Sequence, residues 1–256
     1  MIELHLDDIS VDFGSKKVID GITADFKGGN MTAIIGRNGV GKTTFIKAIA
    51  EIIKHRGKVE LTNNGEKLQP RKEIAYVPQL GALNTGLTVF EMILLGLVNN
   101  LKWRVTDEQL RMVGNIIDEM NLNSISKQPF NTLSGGQKQL VSMAQSLISR
   151  PKVLLLDEPT SALDLRHQLI VMNLAEKYTK EMGAVTIFVV HDLMLASRYG
   201  KSLLLLHEGK IKAFDSAECV LKPELLESIY NVEISVERTK GGFLNAIPIR
   251  PLNTAS

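Results

Sequence analysis

The stretch "MTAIIGRNGVGKTTFIKAIA", residues 31–50, joins a short apolar run to a glycine-rich loop and an amphipathic segment. Continuous apolar runs of this length are typical of strands buried on both faces of a parallel sheet. The loop has the spacing G-x-x-x-x-G-K-T, which falls on Gly36, Gly41, Lys42 and Thr43. A strand, this loop and a helix in that order predict a phosphate-binding loop within an α/β fold.

The residue types of this loop suit ATP and Mg²⁺. Glycines let the backbone fold tightly around phosphate oxygens, and the following helix adds the positive end of its dipole. We expect Lys42 to place its charge on the β and γ phosphates and Thr43 to offer its hydroxyl to Mg²⁺. A glycine-rich turn with an incidental lysine is the alternative. The predicted phosphate-contacting set is Gly36, Arg37, Asn38, Gly39, Val40, Gly41, Lys42, Thr43 and Thr44.

Two helices are indicated by the spacing of apolar residues. The first is predicted to begin at Thr43, with apolar positions Phe45, Ile46, Ile49, Ile52 and Ile53. The second begins at Thr106, which forms a capping-box pair with Gln109. Its apolar positions are Leu110, Val113, Ile116, Ile117 and Met120.

Strand signals divide the chain into layers. The apolar runs "KVLLLD" (152–157), "VTIFVVH" (185–191) and "SLLLL" (202–206) predict further strands of the parallel sheet. Alternation in "IELHLDDISVDF" (2–13) and "GKVELTNN" (57–64), with the "KGGN" turn (27–30), predicts an antiparallel sheet at the start of the chain.

The predicted class is therefore α/β: a P-loop NTPase core with a mainly parallel sheet, an N-terminal antiparallel β subdomain and an inserted α-helical subdomain. We expect one domain over residues 1–256. Its β subdomain and core take about 1–85 and 151–220, its helical insert about 86–150, and a C-terminal helix and hairpin about 221–256. The length of 256 residues and an apolar content of 44% suffice for a sizeable core.

Two acids follow the strand "VLLLDEP", at the sheet edge where ligands of α/β proteins gather. We expect Asp157 to hold Mg²⁺ and Glu158 to polarise a water against the γ phosphate. A solvated strand end before a proline turn is the alternative. His191 also follows a strand and could hydrogen-bond the γ phosphate, although a lone histidine is often structural. Gln79, in "IAYVPQ", could reach both Mg²⁺ and water, or be polar surface.

A second glycine pair occurs in "LSGGQ", residues 133–137. Ser134 as N-cap and Gln137 as its capping-box partner predict a capped helix with Leu140, Ala144 and Leu147 on one face. Such an open N-terminus is also an anion site. Because the P-loop already holds phosphates, this second site needs other phosphates or the same ones from the opposite side, which a second copy of the chain would allow.

The order "GRNGVGKTT", "YVPQ", "LSGGQ", "VLLLDEPTSALD" and "VVH" resembles the nucleotide-binding subunits of ABC transporters over residues 2 to about 220. The resemblance implies a head-to-tail dimer in which ATP at Lys42 of one copy is covered by the other. The covering residues would be Ser134, Gly135, Gly136 and Gln137. It further implies that Asp164 touches the facing site and that Phe13 stacks on adenine beside Val18.

The resemblance also implies partners. An integral membrane permease would be driven by closure on ATP and reopening after hydrolysis, with an external substrate-binding protein acting through the permease. "TVFEMILLG" and "LLESIYNVEISV" look similar to importers of metal chelates such as siderophore iron, haem or cobalamin. The expected location is cytoplasmic, peripheral on the inner face of the cell membrane.

Composition narrows the function classes. The net charge is +2, and no run of five like charges occurs, so nucleic acid is not indicated as a partner. The apolar windows fall short of the ~18 residues of a membrane span. The single cysteine, Cys219, fits a reducing compartment.

Three alternative classes of protein fit the sequence less well. A soluble ABC ATPase of DNA repair or translation usually carries a coiled-coil insertion or two ATP domains. A P-loop kinase would have no use for "LSGGQ" and "SALD". A nonhydrolysing switch does not need Glu158.

Overall fold

The structure is a computed structural model that describes residues 1–79, 85–100, 105–161 and 163–252, with the backbone alone at 98–100. Residues 101–104 of the predicted insert and 253–256 of the predicted tail lie outside the described residues. The strands are β1 (Ile2–Phe13), β2 (Lys16–Lys27), β3 (Met31–Ile35), β4 (Arg56–Asn63), β5 (Glu66–Leu68), β6 (Ile74–Val77), β7 (Val153–Asp157), β8 (Val185–Val189), β9 (Ser202–His207), β10 (Lys210–Asp215), β11 (Val232–Arg238) and β12 (Leu244–Pro251). The α-helices are α1 (Lys42–Ile49), α2 (Pro70–Glu73), α3 (Val89–Leu94), α4 (Asp107–Glu119), α5 (Gly135–Leu147), α6 (Leu165–Met182), α7 (Leu193–Tyr199), α8 (Ala217–Val220) and α9 (Pro223–Tyr230).

The central sheet has six strands in the order β10-β9-β3-β8-β7-β6. Its neighbours from β9 to β6 pair in parallel, and only the edge strand β10 is antiparallel. Every residue of β3, β7 and β8 is buried. These strands are short apolar runs because helices cover one face of the sheet and the N-terminal sheet with α1 covers the other. The predicted α/β class and its parallel core are confirmed.

The N-terminal sheet is antiparallel, in the order β2-β1-β4-β5. The "KGGN" turn does not connect two strands of this sheet, so that part of the prediction was wrong. The Gly28 and Gly29 N–H groups donate to Ile2 O and Ala184 O, which carries the chain from β2 into β3 of the central sheet. Glycine is required there because a Cβ on Gly28 would lie 2.3 Å from the carbonyl oxygen of Gly183.

Helix α1 is shorter than predicted. It ends at Ile49, since Glu51 has a φ of 54° and its N–H donates to Ala48 O. The Ile52 N–H donates to Lys47 O, which completes a Schellman motif. Ile52 is therefore outside the helix and 55% exposed, and Ile53 also lies beyond its end. The sequence pattern did not predict this helix end, because the left-handed residue after a helix is usually glycine and here it is Glu51.

The named secondary-structure elements between β6 and β7 are all helices in the described residues. Helices α3, α4 and α5 share a small core that includes Val89, Ile93, Val113 and Val141. The predicted Thr106 capping box at the start of α4 is confirmed, although Leu110 on the predicted apolar face is 41% exposed. At the C-terminus, α9 is followed by the antiparallel hairpin of β11 and β12, as the tail pattern predicts. Within the described ranges, no helix has both the length and the apolarity needed to span a membrane.

Candidate active site

An open cleft of about 360 Å³ lies where β3, β7 and β8 end. The carboxyl ends of parallel strands are the usual ligand site of an open α/β sheet. The cleft is formed mainly by the glycine loop, by the β1–β2 hairpin and by the residues after β7 and β8. Its lining residues are Phe13, Lys16, Val18, Asn38, Gly39, Gly41, Lys42, Thr43, Thr44, Glu158 and His191.

The loop after β3 is glycine-rich for steric reasons that the structure makes explicit. Gly36 has a φ of 147°, and a Cβ there would lie 2.4 Å from Leu206 O of the neighbouring strand β9. Gly41 has a φ of 107° and is the N-cap of α1, pressed against Val18 and Ile19. The backbone at these glycines is thus in conformations that L side chains rarely adopt. The N-terminus of α1, with its free N–H groups, lies at the cleft.

The Lys42 ammonium is enclosed by its own loop. Its Nζ donates to Gly36 O at 2.8 Å and to Arg37 O at 3.0 Å, and the residue is only 5% exposed. Burial lowers the pKa of Lys42, while the charges of Glu158 and Asp157 raise it in part. An ammonium has three donors, so two carbonyl partners leave one N–H for an anionic oxygen. This donor set fits a phosphate.

Asp157 is a buried carboxylate with both oxygens hydrogen-bonded. Thr43 Oγ1 donates to its Oδ1 at 2.9 Å, and the Tyr76 hydroxyl donates to its Oδ2 at 2.8 Å. Asp157 is 2% exposed, and a buried carboxylate without partners would be costly. Burial raises the pKa of Tyr76, which keeps its hydroxyl protonated as a donor. Tyr76 is a site residue that the sequence did not reveal.

The oxygen pair of Thr43 and Asp157 fits Mg²⁺. Mg²⁺ prefers oxygen ligands, keeps much of its water and is commonly shared between one or two carboxylates and phosphates. In the part of the chain that the structure describes, no cluster of three His, Cys, Asp or Glu residues could form an all-protein metal site. A metal ion here would therefore need phosphate and water oxygens to complete its coordination.

Glu158 is held from two sides. Gln79 Nε2 donates to its Oε2 at 2.9 Å, and His191 Nε2 lies 2.5 Å from its Oε1. The second hydrogen bond of the Gln79 side chain goes to Ser161 Oγ at 3.3 Å. In this conformation Gln79 thus contacts the carboxylate of Glu158, not the predicted metal ligands Thr43 and Asp157. Each carboxylate oxygen can accept more than one hydrogen bond, so Glu158 retains capacity for a water.

The backbone of Glu158 is in the left-handed region, with a φ of 49°. This conformation costs a non-glycine residue on the order of 1–2 kcal/mol and is often found at functional sites. The N–H and the hydroxyl of Ser161 both donate to Glu158 O, at 3.1 and 3.0 Å. These two bonds hold the turn after β7 and direct the acid into the cleft.

The outer wall of the cleft comes from the N-terminal sheet. Phe13 ends β1, pairs with Lys16 across the hairpin turn and is 56% exposed. Val18 lies behind them in β2. An exposed aromatic face next to an apolar side chain suits the stacking of a planar ring. Lys16 was not predicted, and its charge adds to that of Lys42 in the same cleft.

The "LSGGQ" segment forms the predicted helix start. Gln137 N donates to Ser134 Oγ, and Ser134 N donates to Gln137 Oε1, at 3.3 and 3.0 Å. Ser134 and Gly135 are exposed, whereas Gly136 is buried. Among the described residues, those lining the cleft include none from 134–137 and do not include Asp164. The structure therefore brings the P-loop, Glu158, His191 and the predicted ring-stacking residues together and leaves these other candidates outside that cleft.

Asp164 is the N-cap of α6, and its two carboxylate oxygens accept from one residue. His167 N donates to Oδ1 at 2.9 Å, and His167 Nδ1 donates to Oδ2 at 2.8 Å. These hydrogen bonds lower the pKa of Asp164. The spacing of three residues could have suggested a capping pair, but nothing in the sequence links His167 to the "LSGGQ" segment, which its ring contacts at Gly136.

Comparisons with known proteins agree with this site. A family model described as "ABC transporter" matches residues 19–161, more than half of the chain, from β2 through the turn after β7. The chain belongs to the ABC transporter family, and it is an ATPase of that family.

Among its relatives, the hemin import ATP-binding protein of Mesorhizobium japonicum is 34% identical, over 92% of this chain and 93% of that protein. The iron(3+)-hydroxamate import ATP-binding protein of Bacillus subtilis is 30% identical, over 92% of this chain and 90% of that protein. A solved chain of a protein described as a metal-chelate type ABC transporter, in an inward-facing conformation, superposes with a TM-score of 0.85. That chain is 25% identical, and the match covers 97% of this chain and 98% of that one.

Proposed function

We propose that this chain binds and hydrolyses ATP to power a membrane transporter that imports metal chelates. One observation carries the ATP-hydrolysis part of the proposal. Glu158, a conformationally strained acid, faces the same cleft as Lys42 and has Gln79 and His191 on its two oxygens. An acid held in this way can orient and deprotonate a water, a role typically worth ~10²- to 10⁴-fold in rate.

The other residues of the cleft have distinct roles in the proposal. The loop from Gly36 to Thr44 and the charge of Lys42 hold the phosphates, and Phe13 with Val18 holds adenine. Thr43 and Asp157 hold Mg²⁺, which neutralises phosphate charge when bound. His191 keeps Glu158 oriented and can contact the terminal phosphate. Gln79 connects this acid to the chain segment that follows β6.

The active form in this proposal is a head-to-tail dimer with two ATP molecules at its interface. Support comes from the exposed "LSGGQ" helix start, which has the form of an anion site and is outside the cleft of its own chain. Beside it, Leu165 follows Asp164 and is 78% exposed, an apolar surface that a second copy would cover. Ser134, Gly135, Gly136, Gln137 and Asp164 would then complete the site of the other copy.

The membrane partner is inferred from the relatives. Two of them are named as import ATP-binding proteins, for hemin and for iron(3+)-hydroxamate, and the solved chain is of metal-chelate type. We infer an integral membrane permease, with an external substrate-binding protein acting through it, and a location on the cytoplasmic face of the cell membrane. The hemin and iron-hydroxamate relatives are similarly close to this chain in sequence, at 34% and 30% identity. The proposal therefore extends to the class of metal chelates and not to one cargo.

The soluble alternative, an ABC ATPase of DNA repair or translation, has less support. The relatives above are named for transport, and the net charge of +2 does not favour nucleic acid.

We also propose a single ATPase domain over residues 1–256, with the helical insert at about 86–150.

The deciding experiment is to tag this chain, purify it from native membranes and identify the subunits attached to it. A polytopic permease that raises or regulates Mg²⁺-dependent ATP hydrolysis supports the proposal. Recovery with DNA or ribosomes, and no membrane protein, would favour the soluble alternative.

A further inference from the structure

His167 contacts two segments that are far apart in sequence and that the proposed function assigns to the same task. Its backbone and its ring both bind the carboxylate of Asp164, at 2.9 and 2.8 Å. Its ring also lies directly against the second residue of α5. A Cβ added to Gly136 would be 2.4 Å from His167 Cδ2 and 2.9 Å from Nε2.

The contact with Gly136 explains why that position is glycine on structural grounds. Gly136 has no positive φ, so backbone conformation does not require glycine there. Any side chain would instead collide with the imidazole. The ring therefore occupies the space that a side chain at Gly136 would need, and the two preceding residues, Ser134 and Gly135, are exposed.

The same imidazole also restrains the carboxylate of Asp164, through its Nδ1 atom. A carboxylate can only accept, so His167 Nδ1 carries the proton of that hydrogen bond. The Asp164 side chain is 65% exposed and that of His167 is 26% exposed. An exposed carboxylate would otherwise sample several rotamers, and ordering it in advance reduces the entropy lost on association.

We infer that His167 is a positioning residue that ties Asp164 to the "LSGGQ" helix start, so that the two segments meet the nucleotide of a second copy as one preformed surface. The inference rests on the proposed dimer. It adds a residue that lies outside the cleft and that none of the sequence motifs includes. Loss of His167 should weaken ATP-dependent pairing and leave nucleotide binding by the P-loop unchanged.

The test compares the His167 variants with the unchanged residue in the Glu158→Gln background. Dimer formation is measured by sedimentation at increasing ATP concentration. His167→Ala is expected to raise the ATP concentration at half dimerisation about tenfold. His167→Phe keeps a ring against Gly136 and loses only the ring hydrogen bond to Asp164, while the backbone N–H of residue 167 can still donate, so an intermediate shift is expected. The matched control is His5→Ala, which removes another imidazole–aspartate pair, His5 with Asp25 at 2.6 Å, from the N-terminal sheet.

Two further readouts separate positioning from general damage. ADP affinity measured by calorimetry on the monomer and the midpoint of thermal unfolding should match those of the His5→Ala control. An unchanged dimer curve for His167→Ala overturns the inference, and so does a loss of ADP affinity equal to the loss of pairing. If Glu158→Gln itself forms no dimer with ATP, the proposed head-to-tail dimer fails and the inference fails with it.

Discussion

His191 Nε2 lies 2.5 Å from Glu158 Oε1, and this pair joins the ends of two neighbouring strands, β7 and β8. The two residues are 33 positions apart in the chain, and parallel pairing of their strands brings them together. Gln79 engages the other oxygen of Glu158. The acid that we assign to water activation is therefore held on both of its carboxylate oxygens, by Gln79 and by His191.

Replacing Glu158 should separate binding from hydrolysis. Glu158→Gln keeps the shape of the side chain and removes the base, so we expect ATP hydrolysis to fall about 10²- to 10⁴-fold while ATP still binds. The variant should accumulate as an ATP-dependent dimer on a sizing column. Glu208→Gln is a matched control, because Glu208 also has a positive φ, of 48°, and its side chain is 85% exposed outside the cleft. Turnover at the wild-type rate in Glu158→Gln would remove this acid from its role.

Replacing Lys42 should weaken nucleotide binding. Lys42→Ala removes a buried ammonium, and charged hydrogen bonds contribute about 1.5–3 kcal/mol, so ATP should bind about 10- to 100-fold more weakly. Equilibrium titration with a fluorescent ATP analogue measures the change. Lys67→Ala is the control, since that lysine is 80% exposed and pairs with Glu60 at the edge of the N-terminal sheet. Equal affinities for the two variants would contradict the assignment of Lys42 to the phosphates.

Replacing Tyr76 should affect the metal requirement. Tyr76→Phe removes only the hydroxyl that donates to Asp157, and the carboxylate of Asp157 then loses one of its two anchors. We expect the Mg²⁺ concentration for half-maximal ATP hydrolysis to rise several-fold and stability to fall by about 1–3 kcal/mol.

Tyr178→Phe provides the comparison for Tyr76. Its hydroxyl donates to Pro151 O at 2.8 Å, just before β7, so the same substitution removes a bond of similar length away from Asp157. Tyr178→Phe should lose stability without a change in the Mg²⁺ requirement. If both variants need the same Mg²⁺ as the wild type, Tyr76 does not position the metal ligand.

Replacing Gly36 or Gly114 by alanine should change the stability of the protein in opposite directions. Gly36→Ala places a Cβ 2.4 Å from Leu206 O at a φ of 147°, so we expect a loss of about 1–3 kcal/mol in the free energy of unfolding. Gly114 lies within α4, and no neighbouring atom from the described part of the chain comes within 4 Å of its Cβ position, so Gly114→Ala should gain up to about 1 kcal/mol from helix propensity. Urea unfolding of both variants measures the difference. A Gly36→Ala protein as stable as the wild type would show that the loop can adapt.

Local features could be predicted from the sequence because their causes are local. The strand, loop and helix at residues 31–50, the capping boxes at Thr106 and Ser134, and the buried runs of β7 and β8 depend on residues within a few positions of each other. The end of α1 could not be predicted in this way, since Glu51 adopts a backbone conformation that its residue type disfavours.

Tertiary structure alone decided which side chains meet. Thr43 and Asp157 are 114 positions apart and Tyr76 and Asp157 are 81 apart, and sheet pairing and helix packing set these distances. The sequence determined that the chain carries a phosphate loop, two acids and a second capped helix start. Only the packing of α6 against α5 determined that His167 lies against Gly136, because no periodicity within either helix records which face of a distant helix it will contact.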